Sequence, residues 1–280
     1  MLDDPLRSIL KTFVGRKFLT DEPSSPFSTA DTEVVVEAPV VIAVEGVDQF
    51  TLMCIPLEKR FLAAGFLLTE GFISGLRDID LLYECEDDPT VVQVRLGPKA
   101  LPRTENQRNL TVSASCGACG TRDLEAKIAE LPKVGNSLKL ERNVLRAVVM
   151  EIKERQPLFA RTGGTHWAGI YTAGGELTVC AEDIGRHNAL DKAVGKCLLS
   201  NTPTANKWAF LSGRVSMEMV SKCARAGIEL VSAISAPTSL AVEIAERCGI
   251  TLCAFVRENR ATVFSCPERI EGVNGRYPDY

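Results

Sequence analysis

The chain has 280 residues, 45% hydrophobic and 24% charged, with a formal net charge of -4; these are globular values, enough for one large unit or two smaller ones. The negative balance leaves no basic field for non-specific nucleic-acid binding, and no apolar run reaches the ~18 residues of a membrane span. The acidic start Met1-Leu2-Asp3-Asp4-Pro5 lacks a signal-peptide pattern.

In chain order, residues 1–30 read as a flexible lead-in, with Pro and Ser crowding positions 21–26. A first unit, 31–112, reads as α+β. Strands over 33–44 and 50–55 pair around Glu45-Gly46, and Pro56 opens a helix over 57–72. Leu57, Phe61, Ala64, Leu68 and Phe72 form its apolar stripe. Segments 79–86 and 91–96 then flank Asp87-Asp88-Pro89 as a second hairpin. A short strand over 110–112 leads into Ser113-Ala114-Ser115-Cys116-Gly117-Ala118-Cys119-Gly120. Two cysteines at C-x-x-C spacing, each followed by glycine and with no apolar anchor, make 113–122 a mobile loop whose sulfurs a partner can approach. The other eight cysteines stand singly in strand-like or helix-like patterns, as core residues of a protein in a reducing, cytoplasmic compartment.

Beyond the loop, 123–280 reads as a layered α/β domain. Helices over 123–131 and 140–155 come first. Strands at 169–172, 177–181, 208–211, 229–234, 251–256 and 262–266 then alternate with helices at 189–199, 216–226 and 240–248. Such alternation predicts a largely parallel sheet, with ligands gathered past the carboxyl ends of its strands. Three connecting loops suit an anion: Arg161-Thr162-Gly163-Gly164-Thr165-His166, Glu182-Asp183-Ile184-Gly185-Arg186-His187-Asn188, and Ser212-Gly213-Arg214-Val215-Ser216. They offer guanidinium groups, glycine amides and helix N-termini. No standard nucleotide fingerprint is present. Neither histidine receives a catalytic role, and Asp191 and Lys192 read equally well as solvated surface.

Cys116 and Cys119 supply two zinc ligands where a site needs three or four, and no histidine precedes them as a zinc deaminase requires. No structural metal is expected. Two readings of the pair stay open: a dithiol oxidoreductase, and a persulfide carrier whose exposed thiolate takes up and hands on a sulfur atom.

At these residues the sequence resembles the formate dehydrogenase accessory sulfurtransferase family. The resemblance runs from about residue 33 to 270. Its matching stretches are 63–73, the Ser-Cys-Gly-Ala-Cys-Gly loop, 162–166, 182–192, 212–214 and 255–260. It implies a cytidine-deaminase-like C-terminal domain without zinc, and a homodimer. It also implies transfer of sulfur from a cysteine desulfurase to the molybdenum-bis(molybdopterin guanine dinucleotide) cofactor, or its tungsten counterpart, before insertion into formate dehydrogenase. By the same resemblance Cys116 carries the persulfide with Cys119 as its partner, and Phe255, Val256, Arg257, Glu258, Asn259 and Arg260 bind the cofactor. A chaperone that holds the cofactor, its thiols incidental, is the competing reading.

Overall fold

The structure is a computed structural model and describes residues 6–21, 27–98, 100, 125, 128–152 and 154–273. The thiol loop, the short strand expected before it and residues 123, 124, 126 and 127 of the helix expected over 123–131 lie outside the described residues.

The expected lead-in is not featureless. Leu10–Lys17 (β1) pairs antiparallel with Ser28–Val35 (β2) along its whole length. Ile9, Ile55 and Leu158 cluster at the base of this ribbon with Leu10 and Val35. Next come strands Ala38–Val44 (β3) and Asp48–Cys54 (β4), then helix Lys59–Thr69 (α1), then Ile79–Glu84 (β5) and Val91–Leu96 (β6). These four strands form a sheet in the order β4-β3-β6-β5, in which only β3 and β6 run parallel.

Helix α1 starts later than expected because Glu58 holds a positive φ of 62°, a conformation outside the helical region. Its burial is broader than one stripe. Leu62 to Leu67 are all buried, whereas Leu57 is 40% exposed. One face packs on the small sheet through Phe66, whose ring lies 5.2 Å from that of Phe50. The other face meets Arg186–Leu199 (α4), as described below. Leu68 touches the cores on both sides.

The second sheet holds His166–Thr172 (β7), Leu177–Asp183 (β8), Lys207–Leu211 (β9), Leu230–Ala233 (β10), Thr251–Arg257 (β11) and Arg260–Ser265 (β12). Their order is β12-β11-β10-β9-β7-β8. Only the β9-β10 and β10-β11 pairings are parallel, so the largely parallel expectation is corrected to a mixed sheet. Short connections force the difference: Gly174-Gly175 closes β7 onto β8, with Gly175 at φ 84°, and Glu258-Asn259 closes β11 onto β12. Strands joined this tightly must run antiparallel.

Side chains on these strands alternate between two cores. Ala209 and Leu211 face α4, Met217–Arg225 (α5) and Ser239–Cys248 (α6). Trp208 and Phe210 face the opposite way, into an aromatic core completed by Trp167, Tyr171 and helix Arg142–Glu151 (α2). The short helix Pro157–Thr162 (α3) leads into β7. The chain is thus a mixed α/β fold in which helices separate a four-stranded from a six-stranded sheet.

Candidate functional site

Topology gathers the anion-suited loops at one end of the six-stranded sheet. Strands β9, β10 and β11 are parallel and finish there. Strand β7 runs against β9 and so begins there, and β8 runs against β7 and so ends there, with His166 paired to Asp183. Helices α4, α5 and α6 all start at this end, presenting unpaired N–H groups and the positive ends of their dipoles.

Backbone bonds tie the loops together. The Ser212 N–H donates to Trp167 O at 3.0 Å, and the Trp167 N–H returns a bond to Ser212 Oγ at 2.9 Å. Val215 N–H donates to Ala236 O, and Thr238 N–H to Val215 O, both at 3.0 Å. Phe255 N–H reaches Ser235 O at 3.2 Å.

Many polar residues in these loops are occupied in building them. The Arg161 guanidinium is paired with Glu33 on the ribbon, its Nε donating at 2.8 Å. Thr165 Oγ1 and the Leu158 and Phe159 N–H groups all donate to Glu182, which thereby caps α3. Asp183, fully buried, meets Lys192 Nζ at 2.6 Å and accepts from the Ile55 and Gly185 N–H groups and from Asn188 Nδ2. Lys192 also donates to Ile55 O, and Asn188 to Met53 O. This buried cluster fastens the start of α4 to the end of β4.

A second buried cluster pins the far end of α1. Lys222 on α5 donates to both carboxylate oxygens of Asp191 at 3.0 and 2.9 Å and to Thr69 Oγ1 at 2.9 Å, and pairs with Glu70 at 2.8 Å. Burial alone would lower the Lys222 pKa, but the Asp191 and Glu70 carboxylates reverse this and hold it above the ordinary lysine value. Asp191 and Lys192 are each 1% exposed, so the solvated-surface reading is overturned. Thr69 and Glu70 fall within the matching stretch 63–73 but received no role from the sequence, and Lys222 lies in none of the matching stretches.

Among the described residues four basic side chains of these loops have no carboxylate partner: His166, Arg186, His187 and Arg214. Gly213 lies among them, and a Cβ there would stand 3.2 Å from His166 Nδ1 and 3.3 Å from Arg186 Cβ. Burial lowers the His166 pKa, and the Arg186 and Arg214 charges lower it further, against Asp183. His187, next along, is lowered to about 4 by burial, Lys222 and Arg186.

The 255–260 segment closes this same end of the sheet. Phe255 sits at a bulge with a positive φ of 52°, is 43% exposed, and tilts against Phe264 at 6.1 Å between ring centroids. Val256 is buried in the aromatic core. Arg257 NH1 donates to Ile234 O at 2.6 Å and to its neighbour's carbonyl at 2.8 Å, while Glu258 pairs with Arg146 at 3.5 Å. Asn259 and Arg260 are exposed at the hairpin turn.

Cys116 and Cys119 lie outside the described residues. The eight described cysteines are all free. Burial pushes seven of them up, Cys197 to about 11 and Cys54, Cys223 and Cys253 to about 12. Protonated and enclosed, these are poor nucleophiles. Among the described residues no group of three or more His, Cys, Asp or Glu is arranged to hold a metal, and no helix is long and apolar enough to cross a membrane.

The chain is similar to known proteins over most of its length. The model of the FdhD/NarQ family matches residues 35–271. A protein of Thermoplasma acidophilum named "Sulfur carrier protein FdhD" is 38% identical over 253 residues, 87% of this chain and 89% of that one. Its namesake from Bordetella bronchiseptica is 38% identical over 240 residues, 85% of this chain and 87% of that one. Among solved structures, a formate dehydrogenase accessory protein from Desulfotalea psychrophila superposes with a TM-score of 0.73 at 27% identity, covering 94% of this chain and 99% of that one.

Proposed function

The chain belongs to the FdhD/NarQ family, and from that premise we propose that it is a sulfur carrier serving formate dehydrogenase. The Cys116 thiolate attacks the outer sulfur of a persulfide on a cysteine desulfurase. The desulfurase S–S bond breaks, its cysteine leaves as thiolate, and Cys116 holds the sulfur as its own persulfide. Cys119 then attacks the inner sulfur, forming the Cys116–Cys119 disulfide and releasing sulfide as a ligand for the metal of a molybdenum or tungsten bis-guanine-dinucleotide cofactor. A dithiol reductant resets the pair. The cofactor is cargo, destined for formate dehydrogenase, and segment 255–260 takes part in holding it. The carrier acts as a homodimer in the cytoplasm, where a reducing poise keeps its thiols free.

The observation that carries the reading is the collection of arginines, glycines and three helix N-termini at one end of a sheet, a seat suited to a large polyanion. A second support is chemical: seven of the eight described thiols are raised by burial, and the eighth, Cys85, has no second thiol at C-x-x-C spacing, so the glycine-flanked Cys116 and Cys119 are the suited pair.

Incubation with a cysteine desulfurase and cysteine, followed by peptide mass spectrometry, tests the reading. A gain of ~32 Da on the Cys116 peptide, absent in Cys116→Ala, is expected. Sulfur on none of the thiols favours the cofactor-holding chaperone, and a readily cycled Cys116–Cys119 disulfide without bound sulfur favours the oxidoreductase.

A further inference from the structure

We infer that strand β1 of one copy adds to the free edge of strand β5 in a second copy, and that this exchange, made twice, closes the homodimer. The inference rests on the homodimer of the reading above and supplies its contact; the sulfur chemistry does not depend on it.

The ribbon is poorly supported within a single chain. Strands β1 and β2 form a sheet of two, which in water is marginal by itself. Beyond the cluster at its base, the ribbon packs chiefly on α3. Six of the eight β1 residues are exposed, Phe13 by 57% and Val14 by 72%. These two are neighbours on a strand and so show apolar surface on both faces of the ribbon. Phe18 and Phe27, also exposed, meet edge to face at its far end with 5.9 Å between ring centroids. Apolar surface gathered in this way marks a contact with another molecule.

A matching edge lies on the four-stranded sheet. Strand β5 ends that sheet and is bonded to β6 alone. Leu82 packs inward, so Leu81 and Tyr83 face the opposite way, and both are exposed. Each of the two edges presents backbone N–H and C=O groups to a further strand.

Charge decides which edges meet. Strand β1 holds Lys11, Arg16 and Lys17 and no acidic residue, whereas 79–88 holds Asp80, Glu84, Glu86, Asp87 and Asp88 and no basic one. Glu84 is paired with Lys59. Among the described residues Lys11, Arg16, Lys17, Asp80, Glu86 and Asp87 join no ion pair. Joining β1 to β1, or β5 to β5, sets like charges across the seam; joining β1 to β5 sets opposite ones.

Within one chain these edges stay apart. The ribbon is rooted by Ile55, just past β4, and β4 and β5 are opposite edges of their sheet. A second copy brings the complementary edge. Every chain carries both strands, so two reciprocal joins close the pair and leave neither edge over. Each join makes a six-stranded sheet in the order β2-β1-β5-β6-β3-β4.

Sedimentation velocity over a concentration series of the full chain tests the exchange, with circular dichroism verifying the fold of each variant. The wild type is expected to be a dimer that added salt weakens. Lys11→Glu with Lys17→Glu reverses β1, and Asp80→Lys with Glu86→Lys reverses β5; all four positions are exposed. Each double variant is expected to self-associate about tenfold more weakly or worse. Mixed in equal amounts, the two variants are expected to recover the wild-type affinity, because both joins again set opposite charges together. Arg247→Glu, exposed on α6, leaves the dimer unchanged. A dimer that survives both reversals overturns the exchange and keeps the homodimer. Two weakened variants that do not recover on mixing, or an equal loss in Arg247→Glu, also overturn the exchange. A wild type that is monomeric at every concentration overturns exchange and homodimer together. Sulfur on Cys116 reads the carrier separately: a charge-reversed monomer that still loads sulfur keeps the carrier, and a dimer that behaves as expected but never loads sulfur keeps the exchange and removes the carrier.

Discussion

His187 is lowered to about 4 from its ordinary 6.5, by burial first and by Lys222 and Arg186 after it, with Glu218 and Glu70 pulling the other way. Between those two values the unfolded chain takes up a proton that the folded chain refuses, so acid favours unfolding. The contribution of His187 is therefore complete above pH 6.5, shrinks as pH falls, and is gone below about 4; it amounts to at most about 3 kcal/mol. Urea unfolding across this range should show stability falling with acid in the wild type and a flatter profile in His187→Gln. Equal slopes in the two would assign the effect to other groups. Residue type alone made Arg186, Arg214 and His166 legible as anion-handling groups. It did not separate them from Asp183, Asp191 and Lys192 in the same stretch. Those three are structural because their partners (Ile55, Thr69, Lys222) lie far away in the chain. A helix buried on every side carries no polar stripe to read.

Helices α1 and α4 meet backbone to backbone. A Cβ on Gly65 would stand 1.8 Å from Asp191 O, and one on Gly195 would stand 1.9 Å from Phe61 O. Neither carbonyl can rotate aside as a flexible side chain would, so even a methyl group forces the helices apart. Gly65→Ala is expected to cost about 3 kcal/mol or more, at or beyond the upper end of ordinary overpacking. A shift of the denaturant midpoint measures it, and a loss below about 1 kcal/mol would contradict the close crossing. Most elements were legible from their periodicity, from β3 through β12. Strand β1 was not, because four of its consecutive residues are exposed and no period-2 alternation marks it. Sheet direction was also illegible from strand–helix alternation, since the two tight hairpins set the β7-β8 and β11-β12 pairings, and β9 pairs with the first strand of its neighbouring hairpin, which makes a third pairing antiparallel.

The two sheets share one helical interior. Leu68 of α1 touches both main cores, and Leu198 of α4 packs into the core of the smaller sheet. The Asp183–Lys192 and Asp191–Lys222 clusters add polar fastenings at both ends of the same seam. Both tryptophans, Trp167 and Trp208, lie in the six-stranded sheet, so their fluorescence reports on that half alone. With guanidinium chloride, tryptophan fluorescence and far-ultraviolet circular dichroism should give one common midpoint. A separate earlier transition in the dichroism would mean that the smaller sheet melts by itself.

The seam of paired glycines and crossed ion pairs also limits how such a chain can be rebuilt. Gly65, Thr69 and Glu70 come from one half, and Gly195, Asp191 and Lys222 from the other. Swapping either half for that of a distant relative would mate a tooth with the wrong notch, unless both sides of the joint travelled as a matched set.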